Sequence, residues 1–184
     1  MEFDITLEEK KVLLQTAREA IAARLEKRKS RYSAATETLK KKCGAFVTLH
    51  KQGNLRGCIG FIIATKPLIE TVQEAAQSSA FNDPRFPALT APELDEIEIE
   101  ISVLSPLRRI ENTEEIQVGV HGIILKNGLY SGLLLPQVAT DYGWDRETFL
   151  THTCRKAGLP GDCWRSKDTE IEVFSAIVFS EVSP

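Results

Sequence analysis

The chain has 184 residues, 42% of them apolar and 27% charged, with a formal net charge of −3. That length suits one domain over 1–184, with room for a small lobe formed within it, and a chain of this size buries roughly 70% of its unfolded surface. No apolar run approaches the ~20 residues of a membrane span, and the acidic start Met1-Glu2-Phe3-Asp4 is no secretory leader, so the expected location is cytoplasmic.

Thr6-Leu7-Glu8-Glu9 reads as a capping box that opens a helix running to about Lys29, with Leu14, Ala17, Ile21 and Leu25 as its apolar stripe. Residues 30–42 are polar and read as a loop. Ala45 to His50 and Leu55 to Ile62 form a hairpin around the turn chemistry of Lys51-Gln52-Gly53-Asn54. Pro67 opens a helix to about Ala80, with Leu68, Val72, Ala75 and Ala76 inward. Two prolines make Asn82 to Pro87 irregular. Ile97, Ile99, Ile101 and Val103 alternate with Glu96, Glu98, Glu100 and Ser102, the clearest strand pattern in the chain. Val120 to Lys126 and Leu129 to Leu135 flank Asn127-Gly128 as a second hairpin. Helices follow over Pro136 to Tyr142 and Asp145 to Ala157, the latter with Asp145 as N-cap and Gly158 past its end, and Ile171 to Phe179 is a closing strand.

Helices fall between hairpins rather than singly between strands. The fold class is therefore α+β with a largely antiparallel sheet, and the two hairpin-then-helix stretches suggest two repeats.

The four cysteines, Cys43, Cys58, Cys154 and Cys163, contain no C-x-x-C pair, and in a reducing compartment all four are expected as thiols. His152, Cys154 and Cys163 would give three metal ligands, but no fourth is evident, so no metal is assigned. The 24–42 stretch holds eight basic and two acidic residues, which leaves the remainder of the chain at −9. An acidic remainder argues against nucleic-acid binding.

Leu55-Arg56-Gly57-Cys58-Ile59-Gly60 stands out. Side chains alternate along a strand, so Arg56, Cys58 and Gly60 are expected on one face. Two glycines within six residues mark a bulge or a close backbone approach. A cation beside a thiol favours the reactive thiolate, and amides around Gly57 and Gly60 could form an anion nest. Against this, free cysteine also packs well as a small buried hydrophobe.

The same six residues, preceded by Gly44-Ala45-Phe46-Val47-Thr48-Leu49, resemble the signature of the AMMECR family. Asp83-Pro84-Arg85-Phe86, Glu100 to Pro106, His121-Gly122, Leu135 to Ala139, Gly143-Trp144, Phe149-Leu150 and Lys156 to Pro160 follow in family order. Leu135-Pro136-Gln137-Val138-Ala139 is similar to the prokaryotic branch called AmmeMemoRadiSam system protein A. The resemblance implies two helix-flanked β repeats around one barrel-like sheet. It also implies two partners, a Memo-like protein and a radical S-adenosylmethionine enzyme. It brings no established activity, and no cofactor is assigned.

Three further residues complete the candidate set. Glu100 is a potential acid or base on the polar face of its strand, with Ser102 beside it. His121 opens a strand and matches the family motif. Arg85 is suited to clamping an anion. The expected catalytic set is thus Cys58, His121 and Glu100, with Arg56, Gly57, Gly60, Arg85 and Ser102 binding substrate. Trp144 and Trp164 read as packing residues, and His50 and His152 are assigned no role. The expected function is a small-molecule-binding or thiol-dependent component. The alternatives are a non-catalytic adaptor and, more weakly, a nucleic-acid binder.

Overall fold

In the structure, a computed structural model, residues 4–31, 36–63 and 65–183 are described. The N-terminal Met1-Glu2-Phe3 and residues 32–35 of the polar 30–42 stretch lie outside them. The chain divides into one unit of residues 1–104 and 177–184 and a second of residues 105–176. All of the described strand pairing is antiparallel, and the fold is α+β.

In the first unit, α1 (Leu7–Leu25) opens on the expected capping box: the Glu9 amide donates to the Thr6 hydroxyl and the Thr6 amide to the Glu9 carboxylate. It ends four residues earlier than the periodicity suggested. Lys27 turns left-handed at φ 55°, and the Arg28 amide reaches back to the Ala23 carbonyl at 2.9 Å. Strands β1 (Ala45–Lys51) and β2 (Asn54–Phe61) form the first hairpin, with positive φ at both Gln52 and Gly53. Next comes α2 (Leu68–Phe81), whose cap residue Pro67 has no side chain to satisfy the first amides. The carbonyls of Lys41 and Leu39 accept from Leu68 and Ile69 instead, which gives part of the 30–42 stretch a capping duty.

Strand β3 (Ile97–Leu104) pairs with β1, so β1 is flanked by β2 and β3. The alternate residues Ala45, Val47, Leu49, Ile99 and Ile101 bury one face of this sheet, in one core with Leu13, Ala17 and Ile21 of α1 and Leu68, Val72 and Ala76 of α2. The opposite face carries Phe46, Thr48, His50, Glu98 and Glu100, all half-buried.

The second unit contains β4 (Arg108–Ile110), which the sequence patterning did not suggest, then the hairpin β5 (His121–Asn127) and β6 (Tyr130–Leu134). Asn127 pairs with Tyr130, so the central turn residues are Gly128 and Leu129, and only Gly128 has positive φ. The turn is displaced by one residue from the expected Asn127-Gly128 centre, and the Asn127 side chain donates to the Thr169 hydroxyl. Helices α3 (Pro136–Asp141) and α4 (Arg146–Lys156) follow, then β7 (Glu170–Ser180), whose residues 170–175 pair with β4 and β5. Ile123, Leu125, Ile171 and Val173 share a core with Phe149, Leu150 and Cys154 of α4.

One expectation is overturned here: Cys154 and Cys163 are joined in a disulfide rather than free. Gly158 ends α4 at φ +76°, the Leu159 amide closes on the Cys154 carbonyl, and the chain doubles back through Pro160. That return brings the two Cα atoms within 5.8 Å, the range a disulfide spans. A rule based on compartment alone has no access to this reversal. Neither sulfur is therefore available as a metal ligand.

Candidate functional site

Strand β2 lies at the end of the pairing order, so the outward backbone groups of its edge need other partners. The Asp83-Pro84-Arg85 turn supplies them. The Cys58 amide donates to Asp83 Oδ2 at 2.9 Å, and Arg85 Nη2 donates to the Cys58 carbonyl at 3.2 Å. Asp83 is buried and accepts from Arg85 Nε at 2.9 Å and Nη2 at 2.7 Å. These guanidinium bonds, with the amides of Cys58 and Arg85, overcome burial and hold the Asp83 carboxyl far below the usual carboxylate range. Side chains thus take the place of a neighbouring strand beside the cysteine.

The register of the first hairpin decides which way Cys58 points. Lys51 pairs with Asn54 and His50 with Leu55, but Leu49 pairs with Gly57, so Arg56 is an extra residue on β2. An unbroken ladder would set Cys58 opposite Val47, on the face packed against the helices. The bulge sets it opposite Thr48, on the other face. There the Thr48 hydroxyl donates to Cys58 Sγ at 3.3 Å, and Cys58 is half-buried.

Thr48 also pairs with Glu100, and Phe46 pairs with both Gly60 and Ser102. Two rows therefore cross three strands: Cys58, Thr48, Glu100 and Gly60, Phe46, Ser102. The structure brings together four expected residues, Cys58, Gly60, Glu100 and Ser102, with Arg85 at the strand edge. Thr48, Phe46 and Asp83 are neighbours of this group that sequence reasoning did not single out. All three lie within segments of the family signature, but that Thr48 and Phe46 face Cys58 and Gly60 follows only from the bulged register.

Arg56 corrects a second expectation. It does not share the face of Cys58. At the bulge its Nε and Nη2 reach Glu93 at 3.1 and 3.2 Å, and Lys51, on the helix-packed side of β1 by alternation, meets the same carboxylate. The Arg56 hydrogen bonds, with smaller help from Thr90 and Lys51, outweigh burial and hold the Glu93 carboxyl at about 2. Arg56 Nη1 is buried without a hydrogen-bond partner among the described residues. The cation beside the thiol is Arg85. Its own pKa is raised first by the bonds to Asp83, with smaller contributions from the charges of Asp83 and Cys58.

The two glycines have packing explanations. A Cβ on Gly57 would stand 2.2 Å from the Ser79 carbonyl oxygen of α2. The Ser79 hydroxyl meanwhile donates to the Val47 carbonyl at 2.7 Å and accepts from the Ile59 amide at 2.8 Å, which ties helix and hairpin together. A Cβ on Gly60 would stand 2.4 Å from the Phe46 ring, which lies over it. Neither glycine has positive φ.

His121 belongs to the second unit, at the start of β5. Its Nδ1 accepts from the Gln117 amide at 3.2 Å, and burial, then the Arg108 charge, lowers its pKa. Among the described residues no group of three or more His, Cys, Asp or Glu side chains is placed to hold a metal ion, and no helix is long and apolar enough to cross a membrane.

A family model described as AMMECR1 matches residues 14–179. Protein MK0488 of Methanopyrus kandleri is 50% identical over 190 residues, covering 98% of this chain and 92% of that protein. Protein MJ0810 of Methanocaldococcus jannaschii is 44% identical over 188 residues, covering 98% and 94%. The crystal structure of the uncharacterized protein PH0010 from Pyrococcus horikoshii superposes with a TM-score of 0.78 at 44% identity, covering 94% of this chain and 91% of that one.

Proposed function

The chain belongs to the AMMECR1 family, and we propose that within it Cys58 is the working thiol of a small-molecule site on the open face of the first unit's sheet. The observation that carries this reading is the bulge at Arg56, which spends an extra residue to turn Cys58 away from the helix-packed core and toward the Thr48 hydroxyl. A cysteine serving only as core filler would gain nothing from that turn. Thr48 can hydrogen-bond a thiolate, Arg85 sets a positive charge beside it, and Glu100 lies one strand beyond Thr48 as an acid or base. In this proposal Ser102 serves as a substrate contact.

The finer assignment is to the AmmeMemoRadiSam system protein A type, acting with a Memo-like protein and a radical S-adenosylmethionine enzyme. Its support is the set of motifs in the sequence. A second reading, a non-catalytic adaptor that docks those partners, draws on the glycines, since Gly57 and Gly60 are accounted for by packing alone. The nucleic-acid reading loses ground because Arg28 is engaged by Glu19 and Glu26, and Lys40 by Glu37.

The test compares the alkylation rate of Cys58 in the folded protein with that of a free peptide of residues 55–60, at neutral pH with iodoacetamide. The thiol site predicts a rate in the protein at least roughly threefold above the peptide. A protein rate far below the peptide overturns the thiol site and leaves the adaptor.

A further inference from the structure

The open sheet face of the first unit is electrically lopsided, and the asymmetry runs along the row that contains the thiol. At the outer edge stands Arg85. Its guanidinium carries five N–H donors. Nε and Nη2 hold Asp83 and the Cys58 carbonyl, whereas Nη1 makes no hydrogen bond among the described residues. The side chain is 53% exposed, so this free end meets solvent beside the cysteine. The buried Asp83 fixes the guanidinium in place, and the Cys58 amide in turn fixes Asp83.

At the other end of the row the charge is reversed. Glu100 follows Cys58 and Thr48, and Glu98 lies two residues along the same strand, facing the same way opposite His50. Both carboxylates are half-buried, and among the described residues of the first unit neither has an ion pair or a side-chain hydrogen bond. The other carboxylates near this sheet are occupied: Glu93 and Glu96 meet Lys51, and Glu93 also meets Arg56. Strands are ~4.8 Å apart, so Glu100 lies roughly 10 Å from Cys58 across the sheet. Between the two ends are the Thr48 hydroxyl and the Phe46 ring, a short polar-to-apolar floor.

Resting on the reading of Cys58 as the working thiol, we propose that the site takes a small dipolar ligand, with its anionic group, a carboxylate or phosphate, on Arg85 and its ammonium or other cationic group on Glu100 and Glu98. The reacting centre then lies over Cys58 and Thr48. The free Nη1 donors of Arg85 at one end and the unpaired carboxylates at the other set the ligand's direction as well as its class. A singly charged compound satisfies one end and leaves the other unpaired.

Matched thiol reagents of opposite charge test this. Methanethiosulfonates bearing either a sulfonate or a trimethylammonium group react alike: the thiolate attacks the thiosulfonate sulfur, a mixed disulfide forms and methanesulfinate leaves with the bonding pair. The ratio of anionic to cationic labelling rates at Cys58 is read by peptide mass in the full chain. Arg85→Gln is expected to lower that ratio roughly fourfold, Glu100→Gln to raise it by a similar factor, and Arg85→Lys to restore it, the size of a unit charge about 10 Å away in water acting in opposite senses on the two reagents. Circular dichroism of each variant confirms that the fold is retained. A ratio unmoved by Arg85→Gln and Glu100→Gln while both reagents still label Cys58 overturns the dipolar site and leaves the thiol reading standing. No labelling by either reagent in the folded wild type overturns both.

Discussion

The two hairpins use the same construction and leave different residues exposed. In the first, Gly57 of β2 pairs with Leu49 and lies against the backbone of α2. In the second, Gly132 of β6 pairs with Leu125 and lies against α4, where a Cβ would stand 2.5 Å from the Thr153 carbonyl oxygen. Each unit also has a glycine beneath a phenylalanine ring, Gly60 under Phe46 and Gly122 under Phe174. The helix-contacting glycine, Gly57 or Gly132, is thus common to both hairpins. What differs is the residue after the helix-contacting glycine, Cys58 in one and Leu133 in the other. Only the first hairpin carries the bulge and the Asp83–Arg85 clamp beside that residue. The glycine-rich motif alone is a packing device, and the proposed thiol site belongs to what the bulge adds to it.

The largest expected effects come from breaking the shared device. Gly57→Ala and Gly132→Ala each force a methyl group into helix backbone, and each should cost about 3 kcal/mol or more in urea unfolding. A well-tolerated Gly57→Ala would show that α2 does not press on β2 as described.

Glu93→Gln sharpens the difference at the bulge. It leaves the nearly buried Arg56 charge without its counterion and should cost about 3 kcal/mol. The sign of the pH dependence follows from the lowered carboxyl. The ion pair's stabilisation is complete above the ordinary carboxylate range and is lost as pH falls toward about 2. Wild-type stability should therefore fall steeply between about pH 4 and 2, and Glu93→Gln should flatten that slope.

In the second unit, replacing both Cys154 and Cys163 with serine should lower stability by roughly 2–3 kcal/mol, given the short loop they close. Labelling of Cys58 should be unchanged. The smallest effect is that of Thr48→Val, which removes the hydroxyl beside the sulfur. It should slow Cys58 alkylation by roughly two- to fivefold, the worth of one modest hydrogen bond, and barely move the unfolding midpoint.

Much of this fold can be read from local chemistry. The Thr6 capping box, the Asp145 cap, Gly158 and the alternation over Ile97 to Val103 are signals contained within a few residues, and each element appears where they stand. What failed were relations between segments. The single extra residue at Arg56 changes which face every later residue of β2 occupies, and nothing in the six-residue motif announces it. The β4 strand has three residues and no periodicity to detect. The disulfide depends on a chain reversal through Gly158 and Pro160 that spacing alone does not encode. The candidate site was legible only in pieces: Cys58 and Gly60 share a face as alternation expected, and Glu100 and Ser102 share one, but that the two pairs meet across β1 came from the pairing register. Arg56 left the thiol's face because its partner, Glu93, lies 37 residues along the chain, and Arg85 reaches Cys58 from 27 residues away.

Intact mass after iodoacetamide treatment tests the account most directly, because the cysteines occupy three distinct environments. Cys58 is half-buried in a polar setting, Cys43 is buried and its thiol is pushed up by that burial, and Cys154 and Cys163 are bonded to each other. The account predicts one adduct on the folded protein, located at Cys58. It predicts two adducts in denaturant without reductant and four in denaturant with reductant. A folded protein that takes up no label, or takes it first at Cys43, would contradict the claim that the bulge presents Cys58 as a working thiol.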